Sequence, residues 1–177
     1  AALEADKHVL TEARMAVDAD EARAMLEASR QRPNLVPQIV VGPMTLWADT
    51  TLQDLIGQGY LGDILSIDVR VNQSNFVDRD SPMSWRQDRD VSGYNTPVMG
   101  SWYECLMRWL GHAVSVTAIT RVNVSTRYDA AGAAHVVTLP DHVEVLCEMA
   151  SGPVMHMRHS AVTGLAPPVQ VWLFGTD

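Results

Sequence analysis

The chain has 177 residues, 47% of them hydrophobic and 19% charged, which suits a folded domain with a substantial core and excludes a disordered segment. A net charge of -8 argues against a nucleic-acid or anionic-membrane partner, since both need a basic patch. Two cysteines, Cys105 and Cys147, are too few for a disulfide framework, and a reducing, cytoplasmic setting is expected.

Ala1 to Lys7 reads as the last turn of a helix. It has neither an initiator Met nor the basic start and apolar run of a signal peptide, so the chain is expected to be a fragment. His8 to Thr11 is a short apolar run that stops at Glu12, predicting a buried strand. Asp18 is an N-cap with Glu21 as its capping-box partner, and Ala22, Met25 and Leu26 supply the apolar stripe of a helix ended by Arg30, Arg32 and Pro33. Val36 to Val41 predicts a second buried strand. Strand, helix and strand in this order favour a parallel pair. Glu12 and Arg14 then lie at the carboxyl end of a strand, where ligands bind in open α/β sheets.

Gly57-Gln58-Gly59-Tyr60-Leu61-Gly62 has the spacing of a dinucleotide fingerprint in the wrong context. A helix carrying Leu52, Leu55 and Ile56 precedes it and a strand follows, so a glycine-ended helix turning into a strand is expected. From Ile64 the pattern alternates, with Ile67, Val69 and Val71 on one face and Asp68, Arg70 and Asn72 on the other. Phe76 to Asn95 is the longest connection, a polar and aromatic loop of the kind that often carries function. Pro97 to Leu110 reads as a helix with Met99, Trp102, Tyr103 and Leu106 on its apolar face and Ser101, Glu104 and Arg108 on the other. Strands are expected at Val114 to Val124, Val143 to Met149, Val154 to Ser160 and Val169 to Phe174, with tight turns such as Ser151-Gly152 favouring antiparallel pairing.

Asp6-Lys7-His8-Val9-Leu10-Thr11-Glu12 resembles the G-K-H-V-L-x-E-K-P-x-A segment of the glucose-fructose oxidoreductase / inositol dehydrogenase (Gfo/Idh/MocA) family. Asp6 stands in for the family's glycine, Ala13 for its active-site lysine and Arg14 for its proline. Leu55 to Gly62 resembles the L-I-x-x-G-x-L-G turn that opens the family's second domain, and Trp85-Arg86 matches its W-R pair. Val98 to Cys105 aligns with D-x-G-x-H-x-x-D, where only Gly100 keeps its place. Val98 and Cys105 replace the two aspartates, and Trp102 replaces the histidine that transfers a proton. The resemblance implies an α/β remnant of a Rossmann domain (1–48), followed by an α+β domain (49–177) with a mainly antiparallel open sheet and helices on one face. That second domain is expected to continue past residue 177.

The resemblance also implies an NAD(P)-dependent oxidoreductase of a sugar, cyclitol or related small molecule, with an atypical active site. NAD or NADP is the cofactor expected for the full-length protein, although the phosphate cradle is absent from this chain. The alternative is a non-catalytic sheet-based binding or oligomerisation module. Neither Ala13 nor Trp102 can move a proton, so Tyr103 and Tyr94 are the candidate proton-exchanging groups, with Arg14 polarising the oxygen. Tyr103 could equally be a packed helix aromatic. Glu12 and Arg14 are expected beside the cofactor, and Trp85, Arg86, Asn95 and Trp102 on the substrate. Glu12 could instead stabilise the following helix, and Trp85 and Arg86 could anchor their loop. His156 and His159 are three apart in a strand and point to opposite faces, so no metal site is expected. The sequons at Asn72 and Asn123 carry no force without a secretory signal. A homo-oligomer through the sheet is expected, because Trp172 and Phe174 on a broad sheet need cover.

Overall fold

A short 3-10 turn at Leu3–Ala5 ends on Asp6, whose φ of 53° lies in the left-handed region. Asp tolerates that region because its short polar side chain can bond locally, which explains how it fills a position where the resembled family has glycine. This is a computed structural model, and it describes residues 1–12, 15–40, 47–73, 77–94 and 99–177. β1 (Val9–Glu12) pairs in parallel with β2 (Pro37–Val40), and α1 (Ala19–Arg30) crosses between them. Asp18 caps α1 by accepting from the Glu21 N–H at 2.8 Å, and Glu21 reaches back to accept from the Val17 N–H at 2.6 Å. Met25 and Leu26 of α1, with Leu3, Val9 and Met15, line an apolar cavity of about 390 Å³.

α2 (Asp49–Gly57) then turns through Gly59 and Gly62, at φ 75° and 61°, into β3 (Ile64–Asn72). The G-x-G-x-x-G spacing is therefore a helix exit, as its context predicts. After α3 (Arg89–Ser92) and α4 (Met99–Leu110) come β4 (Ala113–Arg121), β5 (Thr126–Tyr128), β6 (Ala134–Val136), β7 (His142–Met149), β8 (Val154–Ser160) and β9 (Val169–Gly175). β5 and β6 form a hairpin. The other five make one mixed sheet in the order β4-β7-β8-β3-β9, antiparallel except for the parallel pair β3-β8.

One face of that sheet is the core. Ile67 lies opposite Met155 and Val69 opposite Met157, Val145 and Cys147 continue the layer from β7, and Leu106 of α4 is fully buried against them. The alternation read from β3 is thus a half-buried strand. The buried Asp49 carboxylate ties α2 to α4 by accepting from the Arg108 guanidinium, from Trp109 Nε1 at 2.7 Å and from Gln53 at 2.9 Å. The Arg108 bonds, then Trp109, hold its carboxyl down to about 2. Arg108, on the polar face of the predicted helix, is therefore spent on a tertiary bond.

Two expectations need correction, and one is filled in. The strands expected to be buried are not: Leu10 and Glu12 of β1 and every residue of β2 are exposed, since the described sheet there has two strands only. The long connection carries short helical elements. Ser84 and Gln87 form a capping box around a 3-10 turn at Trp85–Gln87, and Asp88 caps α3. The strand expected to run to Val124 ends at Arg121, where Asp141 accepts from the N–H groups of Asn123 and Val124 and turns the chain into the β5-β6 hairpin.

Candidate active site

Glu12 is exposed at the carboxyl end of β1, the edge at which ligands enter α/β sheets. Arg14 and Asn95 lie outside the described residues. The link between this edge and the long loop is made by Gly93. Its φ of 63° and ψ of -159° fall in a region open essentially to glycine, and a Cβ there would sit 1.9 Å from the Val17 carbonyl oxygen. The loop backbone therefore lies directly on the segment that leads from β1 into α1.

The same loop presents two cation-aromatic stacks. The Arg86 guanidinium lies 4.4 Å from the Trp85 ring centre, and the Arg89 guanidinium lies 4.0 Å from that of Tyr94. Trp85 and Tyr94 remain 51% and 65% exposed, so the loop offers large apolar rings to solvent. Such rings suit the C–H faces of a polyol, and guanidinium donors suit its hydroxyls.

α4 supplies none of the proton chemistry of the resembled motif. Trp102 is half-buried and packs on the core. Cys105 is buried, and burial pushes its thiol up, so it stays protonated and inert. Tyr103 requires a correction. Its ring packs on the core cluster and its hydroxyl oxygen accepts from the Ala113 N–H at 2.9 Å, tying the end of α4 to the start of β4. The Tyr103 hydroxyl is thus engaged at the junction of α4 and β4, while Tyr94 follows Gly93 in sequence and stays exposed.

Two features were missed in the sequence. His159, on the core face of β8, is 4% exposed, neither ring nitrogen has a partner among the described residues, and burial pushes its pKa down to about 4. Period-2 alternation places it opposite His156, but nothing local signals the lack of partners. Behind the loop, a cavity of about 240 Å³ is lined by Arg86, Gln87, Asp78, Arg127 and Asp141 together with apolar side chains. The signal for it was Thr126-Arg127-Tyr128 and Ala134-His135-Val136 flanking an Asp129 to Gly132 turn, a hairpin pattern that buries Arg127.

Toward a nicotinamide cofactor the fit is partial. An exposed carboxylate at the end of a parallel strand suits the crevice edge, whereas Gly57 to Gly62 leads into a strand and offers no helix N-terminus for phosphate. Among the described residues no cluster of three or more metal-ligating side chains occurs, and no helix is long and apolar enough to cross a membrane.

Residues 50–177 match the family model described as the GFO/IDH/MocA C-terminal domain. Levoglucosan dehydrogenase of Pseudarthrobacter phenanthrenivorans is 31% identical over 93 residues, which cover 52% of this chain and 24% of that protein. A solved structure of levoglucosan dehydrogenase in complex with NADH and L-sorbose is similar at a TM-score of 0.83 and 22% identity, over 99% of this chain and 48% of that one. The transcriptional regulator Gal80p of Kluyveromyces lactis is similar at a TM-score of 0.79 and 18% identity, over 97% of this chain and 45% of that one. The chain spans less than half the length of these relatives.

Proposed function

Because the chain belongs to the GFO/IDH/MocA family, we propose that it forms part of an NAD(P)-dependent oxidoreductase of a sugar, cyclitol or related small molecule. In this reading residues 1–48 are the end of a nucleotide-binding Rossmann domain and residues 49–177 the substrate and oligomerisation domain. The observation that carries it is the seating of Gly93 on Val17, which ties the aromatic loop to the segment that leads from β1 into α1. The parallel β1-α1-β2 unit supports the same reading, as do the NADH and sugar ligands of the similar levoglucosan dehydrogenase.

A bound nicotinamide supplies or accepts the hydride. This chain's residues then hold the substrate and handle its proton. Trp85 stacks on the substrate, Arg86 donates to its oxygens, and the Tyr94 hydroxyl exchanges the carbinol proton. Glu12 lies on the cofactor side, with Arg14 two residues beyond it in the sequence. Incubating the full-length protein with NAD or NADP and a panel of sugars and cyclitols, and following nicotinamide absorbance, tests this. Tyr94→Phe is expected to lower turnover ~100-fold with cofactor affinity nearly unchanged. Full turnover by Tyr94→Phe would remove that role.

The second reading is a non-catalytic binding module, favoured by Ala13 and Trp102 at the altered positions and by the likeness to Gal80p. Absence of cofactor binding and of turnover with every substrate would select it.

The open sheet face supports a homo-oligomer in either case. Trp172 and Phe174 stack there on edge strand β9 with ring centres 6.5 Å apart and are about half exposed, while exposed Leu146 and Ile119 lie across the sheet on β7 and β4, beyond Asp68 and His156. Sedimentation should show concentration-dependent self-association that Trp172→Lys abolishes; a monomer at high concentration would refute it. A cytoplasmic location is proposed from Cys105 and Cys147, both buried and unpaired.

A further inference from the structure

The cavity behind the loop has an imbalance of hydrogen-bonding groups. Asp78 and Asp141 line it, and three of their four carboxylate oxygens are already engaged. Asp78 Oδ1 accepts from the N–H groups of Asp80 and Ser81, and the two Asp141 oxygens accept from the Asn123 and Val124 N–H groups and the Asn123 side-chain amide. The donors are not matched in this way. Arg127 is 8% exposed and its hydrogen bonds among the described residues go to neutral oxygens: Nη1 donates to the Ser81 carbonyl and hydroxyl and Nη2 donates to the Asp78 carbonyl at 2.9 Å, while Nε has no partner among them. After the Asp80 and Ser81 N–H groups, its charge helps hold the Asp78 carboxyl below its usual range. The Arg86 guanidinium lies over the Trp85 ring and makes no ion pair among the described residues. Gln87 uses its carbonyl oxygen on the Ser84 N–H at 2.9 Å, which leaves its amide hydrogens for another acceptor.

A ligand that fits must bring acceptors, and a charged acceptor fits best, since guanidinium recognises carboxylate with paired charge-assisted bonds. The rest of the wall is mixed, with Val124, Val137, Leu139 and Val162 alongside Gln73 and Ser81, so the remainder of the ligand can offer both carbon and hydroxyl groups. About 240 Å³ holds a molecule no larger than a single sugar ring.

We propose that this cavity, with Arg86 at its edge and Arg127 in its wall, binds the carboxylate of a small organic acid of sugar-acid size. It rests on the reading of Arg86 as a ligand-binding residue, but it requires no cofactor and no turnover.

Calorimetric titration of the protein with glucuronate, glucose and inorganic phosphate tests it. Glucuronate is expected to bind at least ~10-fold more tightly than glucose, and Arg86→Gln to remove that preference by weakening glucuronate more than glucose. Arg127→Lys keeps the charge but loses the fork, and should weaken glucuronate by a similar factor. Arg86→Gln is the decisive variant, because Arg86 is exposed and holds no backbone in place, whereas Arg127 braces the 78–81 turn. Equal affinity for glucuronate and glucose, or a preference that survives Arg86→Gln, overturns the proposal. Phosphate binding as tightly as glucuronate overturns the claim that the ligand's carbon body is recognised. If the oxidoreductase reading alone is wrong, glucuronate still binds while the full-length protein binds neither NAD nor NADP.

Discussion

Acidification from about pH 6.5 to about pH 4 is expected to destabilise the native chain by about 3 kcal/mol through His159 alone. The unfolded chain takes up a proton on this imidazole near its ordinary pKa of about 6.5, whereas the folded chain, which holds it buried between Val71 and Val143, refuses that proton until about 4. The native state therefore keeps its full stability above the unfolded value and loses it progressively as the pH falls to the folded one. Urea unfolding at several pH values across that window measures the slope. His159→Leu should flatten it and raise stability at the acid end, because two unpartnered nitrogens leave the core with the proton site. A slope unchanged in His159→Leu would mean that other groups carry the acid response.

Gly93→Ala is expected to detach the aromatic loop. An added methyl group would meet the Val17 carbonyl oxygen at 1.9 Å and its carbon at 2.8 Å, both of them backbone atoms that no rotamer change can move. The positive φ adds a strain of about 1–2 kcal/mol. The loop must then lift from the segment that leads from β1 into α1, taking Trp85 and Tyr94 with it. Limited proteolysis should show new cleavage between residues 77 and 94, and substrate affinity should fall at least ~10-fold, while the five-stranded sheet unfolds as before. Unaltered proteolysis with unaltered affinity would show that the contact does not position the loop.

These two glycine and histidine positions also show what the sequence made legible. Period-2 alternation in β3 placed Ile67, Val69 and Val71 on the buried face, and the same rule put His156 and His159 on opposite faces. Helix α4 and the reversed glycine motif were read from local signals in the same way. What could not be read depends on atoms far apart in sequence. Asp49 meets Arg108 and Trp109 only after α2 packs on α4. Tyr103 sits on an apolar stripe in either role, and only the direction of its hydroxyl, toward Ala113, decides between them. Gly93 could be seen as a turn residue, but its need for bare backbone comes from Val17, which is brought beside it by the fold. The β5-β6 hairpin was missed because each strand has three residues, too few for alternation to show.

The strand order has a consequence for synthesis. β3 is the first strand of the large sheet to leave the ribosome, and both its partners come late: Ser66 pairs with Val154, and Ile67 with both Met155 and Leu173. Until β8 and β9 have been translated, β3 has two open edges and an apolar face of Ile67, Val69 and Val71 that α4 can cover only in part. Nascent chains stalled before residue 150 should therefore depend on a holding chaperone to stay soluble, whereas chains stalled with residue 175 outside the exit tunnel should not.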